Sequence, residues 1–517
     1  MKNPAPKKFT ELLASFPLLK NVYQERIILN RSFKQISEPF AEDPGTVLLL
    51  SGSDLDCSKY NILAVRPWLE LVSKHKNIII NYGGEKSYIQ HDPFLTIQAL
   101  LDKFKLNGDC FDLPVLSGLF GYLAYDLKDL IEKLPCTCSD SGLPDLCLYA
   151  PSIILIQDKK SGNQLNNQLN NQVNNQVNNQ VNNKPDSKIS HAQLCIPILS
   201  NELKHKTEYE IIKSNKEFFF KKLKKDSQRK FFSINNRKSE LNFKSSFTKK
   251  KYIKSVNKII DYLKAGDIYQ ANLSQRFEAK FFGDAYLLFQ DLFKRNPASF
   301  FSYINAGDHI IVSTSPERFI SQKGKTVESR PIKGTIARGS TKEQDKKNSR
   351  LLAQSLKDDA ELTMIVDLMR NDISRVTKHG SVIVKEHKRL EAYENVFHLV
   401  SIIEGELEDG KTSVDLIKAT FPGGSITGCP KIRSMEIIDA LEPVKRHVYT
   451  GAIGYISFHE SMDLSIAIRT ATITNNRIYF SVGGGIVYDS DPKKEFQETL
   501  DKGKTLMESL TTGCQSN

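Results

Sequence analysis

The segment that decides the fold reads "HVYTGAIGYISF" (447–458), "MDLSIAIRTATIT" (462–474) and "RIYFSVGGGIVYD" (477–489). Each run is rich in β-branched and aromatic residues, and together they predict a three-strand antiparallel meander. A helix over 491–511 follows it. Upstream, "HIIVSTSPERFISQKGKTVESRPIKGT" (309–335) reads as strand, turn, strand, Lys-Gly-Lys hairpin and strand. "YQANLSQRF" (269–277) alternates: Tyr269, Ala271, Leu273 and Phe277 share one face, and Gln270, Asn272, Ser274 and Arg276 the other. That is a strand with a polar face. "KEQDKKNSRLLAQSLKDDAELTMIVDLMRND" (342–372) is helical. Strand runs interleaved with helices predict an α+β fold with antiparallel sheets.

Before this core, "TVLLLSGSDLDCSKYNILAVRP" (46–67) and "NIIINYGG" (77–84) predict short strands, and "PVLSGLFGYLAYDL" (114–127) a strand leading into a helix. Between the two parts lies "NQLNNQLNNQVNNQVNNQVNN" (163–183), a four-residue repeat with one modest apolar residue per unit. Such composition cannot supply a packed core. The expected organisation is an N-terminal region over 14–155, a largely disordered Asn/Gln- and Lys-rich insertion over 159–235 with a helix near 203–225, and a C-terminal region over 245–508.

The net charge of +12 suggests nucleic acid at first sight. Its distribution speaks against that: between Lys184 and Lys264, 21 lysines and arginines stand against 8 acids, which accounts for the whole excess. A basic insert is weaker evidence than a basic face on a folded motif. No apolar run reaches transmembrane length, and the N-terminus lacks a signal-peptide core. The eight cysteines are scattered, without zinc or redox spacing. A cytoplasmic protein with reduced thiols is the expectation, with neither nucleic acid nor membrane as partner.

Charges then appear where burial should exclude them. Glu361 shares a helical face with Met364, Ile365 and Leu368. It is either a stripe-edge residue reaching water or a buried carboxylate, which must be paired, hydrogen-bonded or metal-bound. Glu495, Glu498 and Lys502 fall on one face of the last helix, just after Gly483-Gly484-Gly485, where backbone can approach a ligand closely. Arg469 lies among small neighbours that leave room for a ligand carboxylate. Acids from two helices suit Mg2+, which takes few protein carboxylates and shares the substrate's anionic groups. "FPGGS" (421–425) is a further loop with free backbone N–H groups.

Seven ordered motifs carry a resemblance: "SPERF" (315–319), "RPIKGT" (330–335), "DAELTMIVDLMRND" (359–372), "FPGGSITGCPKIRSMEIIDALEP" (421–443), "GAIGYISF" (451–458), "DLSIAIRT" (463–470) and "GGGIVYDSDPKKEFQET" (483–499). They resemble the chorismate-using enzymes, a family that includes the first components of anthranilate synthase and aminodeoxychorismate synthase and the isochorismate and salicylate synthases. The resemblance implies a two-layered antiparallel β-sheet sandwich with helices outside. Pro-Ile-Lys-Gly-Thr is the pattern of the aminodeoxychorismate synthase component I branch; anthranilate synthases usually carry alanine at the lysine. Water-adding members carry a base-like lysine where this chain has Gln270.

By resemblance, Lys333 is a covalent nucleophile and Glu317 the general acid, a role that needs a raised pKa. Arg330 is the expected neighbouring cation of Lys333. Glu361 and Glu498, with Glu495 alongside, are the implied Mg2+ ligands. Ser425, Tyr449, Arg469, Gly484, Gly485, Lys502 and His398 are the implied substrate contacts. Chorismate is the implied substrate and 4-amino-4-deoxychorismate the product, on the route to 4-aminobenzoate and folate; anthranilate synthase component I is the alternative. Ammonia is expected from a separate glutamine amidotransferase subunit, since no Gly-x-Cys-x-Gly setting occurs. Ser51, Ser299, Phe300 and Phe301 match a pocket that binds tryptophan in many relatives.

Overall fold

The computed structural model describes residues 9–106, 112–135, 137–159, 190–224 and 242–512. Two long strands, Tyr60–Lys74 and Leu146–Asp158, organise it. They pair antiparallel along almost their whole length, with a register shift between Pro67 and Leu69. Arg66 there has φ 57°. The bend lets each strand serve two layers.

In the first layer, Leu146–Asp158 takes Ser190–Leu199 and then Leu19–Leu29. Tyr60–Lys74 takes Val47–Leu50, and the order continues through Phe300–Asn305, Ile310–Ser315, Thr470–Thr474, Arg477–Ile486 and Gln270–Lys280. The second layer runs from Asn77–Tyr82 through the other halves of the long strands to Gly118–Leu123, Ala452–Ser457, Ser461–Ile466, Arg318–Lys323, Thr326–Arg330 and Val396–Glu406. The last strand also pairs with Ile332–Ala337 and, on its other edge, Ile383–Ala392. Every pairing between these strands is antiparallel.

Alternation along the strands gives each layer an inner and an outer face. Val47, Ile62, Phe120, Tyr149, Ile304, Ile311 and Ile453 fill the space between the layers. The outer face of the first layer is covered by the helices Glu208–Lys224, Ala285–Arg295 and Pro492–Thr512. That of the second is covered by Pro93–Lys103, Leu356–Ser374 and Ser413–Thr420. This is the expected two-layered sandwich with helices outside. Among the described residues no helix is long and apolar enough to cross a membrane.

Three expectations change. The expected three-strand meander is two separate hairpins, because "MDLSIAIRTATIT" breaks after Ile466 and resumes at Thr470. The first piece belongs to the second layer and the other to the first. The helical run 342–372 is two helices, Lys342–Ala353 and Leu356–Ser374, the second N-capped by the Ser355 side chain on the Asp358 N–H. The expected insertion over 159–235 holds a core strand, Ser190–Leu199, whose Ala192, Leu194, Ile196 and Ile198 are buried; the helix expected near 203–225 is Glu208–Lys224. The Asn-rich repeat lies outside the described residues.

Candidate active site

The chain crosses between the layers at two adjacent places. Pro316-Glu317 joins Ile310–Ser315 to Arg318–Lys323, and Ala467-Ile468-Arg469 joins Ser461–Ile466 to Thr470–Thr474. The crossings are tied together. The Ile466 N–H donates to the Glu317 carbonyl at 3.1 Å, and the Thr314 N–H donates to the Arg469 carbonyl at 3.1 Å. Arg469 has φ 51°, in the left-handed region that costs a non-glycine residue roughly 1 kcal/mol or more.

Glu317 is only 4% exposed. The Ser425 hydroxyl donates to its carboxyl at 2.6 Å, and the Ile332 N–H is a second donor. Burial pushes the carboxyl up to about 7, against the opposing pull of these donors and of Lys333 and Arg469. Arg469 is surrounded by protein, and among the described residues no carboxylate lies within ion-pair distance of it. Burial lowers its pKa, with Tyr393 and Glu317 acting the other way. An enclosed guanidinium without a counter-ion is a receptor for an anion.

Lys333 enters from Ile332–Ala337. Gly334 has φ 83° and produces a register shift against Leu399 and His398, a bulge that re-aims the neighbouring side chain. The Lys333 amine donates to Glu361 at 2.7 Å. Glu361 therefore does not reach water along its helix; it is buried against the lysine. A Cβ placed on Gly485 would meet Gln270 Nε2 at 2.6 Å, Asn272 Oδ1 at 3.0 Å and Lys333 Nζ at 3.0 Å. Backbone at 485 thus forms the wall beside the amine. Arg330, expected as a neighbouring cation, is instead bound to Glu328 at 2.6 Å and to Asp56 at 2.6 Å.

Glu495 and Glu498 stand one turn apart over Gly484, each with a carboxylate oxygen 3.4 Å from the place of a Cβ there. Glu495 accepts from Ser490 at 2.7 Å, and burial raises its pKa, with Glu498 adding to the rise. Glu498 pairs with Lys502 at 2.7 Å; burial would raise it, but Lys502, Lys333 and Lys357 hold it below the usual range. Lys502 also donates to the Gly483 carbonyl at 3.1 Å. Among the described residues no three His, Cys, Asp or Glu side chains already form a metal cage. The donors of Glu361, Glu495 and Glu498 are nonetheless all carboxylate oxygens, the chemistry a hard cation takes.

His398 is 2% exposed. Its Nδ1 lies 2.8 Å from the Thr335 hydroxyl, and its buried Nε2 has no partner. Burial, with Arg469 adding to it, lowers its pKa to about 3, so the ring is neutral. Gln270 is fully buried with its Oε1 unpartnered. One orphaned polar atom close to Arg469 and another at the Gly485 wall with Lys333 suit a polar ligand. Tyr449 lies beside Arg446 and lines a narrow cavity of about 30 Å³ with Arg276, Thr470 and Ser481. A larger open groove of about 730 Å³, lined by Tyr269, Leu356, Met364, Leu368 and Cys429, includes none of Glu317, Lys333 or Arg469.

The four residues of the expected tryptophan pocket do not all converge. The Ser51 hydroxyl donates to the Tyr60 carbonyl at 2.8 Å, and Ser299 lies 2.9 Å from the Ser53 hydroxyl. Phe300 sits under the Arg318 guanidinium. Phe301 is corrected: strand alternation turns it to the opposite face, where it is fully buried against Phe289 and Phe293.

Sequence reasoning missed three supporting residues. Asn272 was legible only as part of a polar face; its amide donates to the Ser425 carbonyl at 2.8 Å. Glu442 and Arg446 resemble a surface pair four residues apart, and they are the buried pair beneath that strand. Their position in "LEPVKRH", flanking a proline, was the available signal.

At the seam of the sandwich a buried acid, a lysine and an unpaired arginine are thus brought together. The family model described as chorismate binding enzyme matches residues 66–508, and this chain belongs to that family. It is 35% identical over 471 residues to aminodeoxychorismate synthase component 1 of Escherichia coli (strain K12), covering 90% of this chain and 93% of that one. It is 34% identical to anthranilate synthase component 1 of Aquifex aeolicus, covering 85% and 83%. Among solved structures it matches anthranilate synthase component I from Streptococcus pneumoniae TIGR4 with a TM-score of 0.72 and 30% identity, over 88% of this chain and 93% of that one.

Proposed function

We propose that this chain is the chorismate-converting component of an aminodeoxychorismate synthase, with Lys333 as covalent nucleophile. The supporting observation is the placement of one amine. Lys333 Nζ lies against the Gly485 wall and the Glu361 carboxylate, and the buried acid Glu317 accepts from the N–H of its neighbour Ile332. Relatives at similar identity include anthranilate synthase components, so identity alone does not choose between the products.

In the proposed reaction the Arg469 guanidinium holds a substrate carboxylate, and the free His398 Nε2 and Gln270 Oε1 take up polar groups. As a neutral amine, Lys333 attacks C2 of the ring; both double bonds of the ring shift by one position and the C4 hydroxyl leaves as water with the proton from Glu317. General acid catalysis of this kind contributes about 10²–10⁴-fold. Ammonia then attacks C4, both double bonds shift back and the lysine amine departs from C2. A covalent intermediate splits one hard displacement into two. Glu361, Glu495 and Glu498 would hold Mg2+, which when bound supplies positive charge for the ring carboxylate. The ammonia comes from a separate glutamine amidotransferase subunit.

The test is mass spectrometry of product and protein after mixing with chorismate, Mg2+ and ammonium. The natural chain yields 4-amino-4-deoxychorismate, and Lys333→Ala loses it. Anthranilate and pyruvate from the natural chain would overturn the proposal. Use of glutamine by the chain alone would overturn the separate partner.

A further inference from the structure

The acid Glu317 is only as well placed as Ser425, which donates to it, and Ser425 lies on the irregular loop 423–427. The main chain of this loop is tied down from one side. The Asn272 amide donates to the Ser425 carbonyl at 2.8 Å, and the Asn272 N–H donates to the Thr427 carbonyl at 2.8 Å. Behind both stands Arg446. Its Nη1 donates to the Ile426 carbonyl at 2.9 Å and its Nη2 to the Asn272 carbonyl at 2.8 Å, so one guanidinium spans loop and strand.

Arg446 is itself fixed. Its Nε and Nη2 donate to Glu442 at 2.9 and 2.7 Å, a bidentate pair whose side chains are each 3% exposed. Glu442 also accepts from the Ser274 N–H at 2.8 Å and the Ser274 hydroxyl at 2.9 Å, on the same strand. The Tyr125 ring lies 4.8 Å from the guanidinium carbon. Planar, forked donors suit this task and a lysine does not, because one ammonium cannot meet two carbonyls and a carboxylate in that geometry.

We propose that the buried Glu442–Arg446 pair is the positioning element that sets Ser425 against Glu317 and holds Asn272 beside the Lys333 amine. It touches no substrate and acts through the loop and the strand. This inference rests on the proposed reaction only for its kinetic readout. Its structural part stands on the hydrogen bonds alone.

The experiment compares Arg446→Lys and Glu442→Gln with Asp145→Asn. The last breaks a pair with Lys74 in which the Asp145 side chain is 1% exposed and makes its hydrogen bonds to Lys74 and the His75 N–H, none of them to the loop 423–427 or to Glu442 and Arg446. Total chorismate consumption is followed, whichever product forms. Expected is a fall in kcat of about 100-fold for Arg446→Lys, with KM nearly unchanged, since a misplacement of about 1 Å costs that much. Asp145→Asn should keep its kcat at a comparable loss of Tm. In Arg446→Gly, added methylguanidinium should restore part of the turnover. Equal loss of kcat in Arg446→Lys and Asp145→Asn would overturn the proposal. So would a crystal structure of Arg446→Lys in which Ser425 still donates to Glu317 in the same place. If the natural chain consumes no chorismate, the reaction is refuted and the crystal structure alone decides the role of the pair.

Discussion

Lys333 and Gly485 come from different layers of the sandwich, yet the amine of one lies 3.0 Å from where a Cβ of the other would stand. The glycine is required there for space rather than for conformation, because its φ is not in the left-handed region.

Gly485→Ala is therefore expected to fold and to fail in turnover. The added methyl group would press on Gln270 Nε2 at 2.6 Å and on Lys333. Side-chain ends can yield, so Tm should drop little, while kcat falls about 100-fold through displacement of the amine. Circular dichroism melting beside steady-state assay checks both halves.

Glu317, as the proposed general acid, is expected to set the basic limb of the pH profile. Burial first, with Ser425, Ile332, Lys333 and Arg469 opposing, places its carboxyl at about 7 against an ordinary 4.5. Activity that needs its proton should decline as pH rises through about 7. The stability sign follows from the same raised value. The carboxyl favours the folded state fully below about 4.5, and that contribution is lost as pH climbs through about 7, amounting to roughly 3 kcal/mol at most. Glu317→Gln removes the loss, so its Tm relative to the natural chain should improve between pH 5 and pH 8, with activity abolished. A flat difference across that range would contradict the buried acid.

Arg469→Gln removes the unpaired guanidinium. A hydrogen bond to a charged group is worth about 1.5–3 kcal/mol, so the KM for chorismate should rise roughly 10–150-fold. Titration calorimetry with chorismate should show the same loss of affinity.

Chelation should separate activity from stability. Glu361 and Glu498 already have lysine partners in Lys333 and Lys502. EDTA is expected to stop turnover while leaving Tm nearly unchanged, which calorimetric scanning reads directly.

The sandwich, and the gathering of Glu317, Lys333, Glu361 and Arg469 at its seam, were legible because their signals are periodic or dense: alternation in 269–277, the hairpins of 309–335, and a carboxylate at 361 in register with an apolar stripe. What escaped depended on partners distant in sequence. The break at Arg469 is invisible in "SIAIRTA", since every residue there suits a strand; the left-handed turn is imposed by the crossing between layers. Ser190–Leu199 was hidden by its setting beside a polar repeat and a basic tract, although "AQLCIPIL" carries the alternation of a core strand. Glu442 and Arg446 look like a solvated pair until the strand beneath them is known. Arg330 was assigned to Lys333 by nearness in sequence, but it ends the strand Thr326–Arg330 while Lys333 lies in the next, and its carboxylate partners are Glu328 and Asp56.

The two bent strands make the halves of this polypeptide inseparable. Ala452–Ser457 needs Gly118–Leu123 beside it, and Phe300–Asn305 needs Val47–Leu50. A fragment beginning at 245 would expose both as raw edges open to aggregation. Two co-expressed fragments, cut in the Asn-rich tract, should instead reassemble by strand complementation, so a gene split at that point would still encode one enzyme.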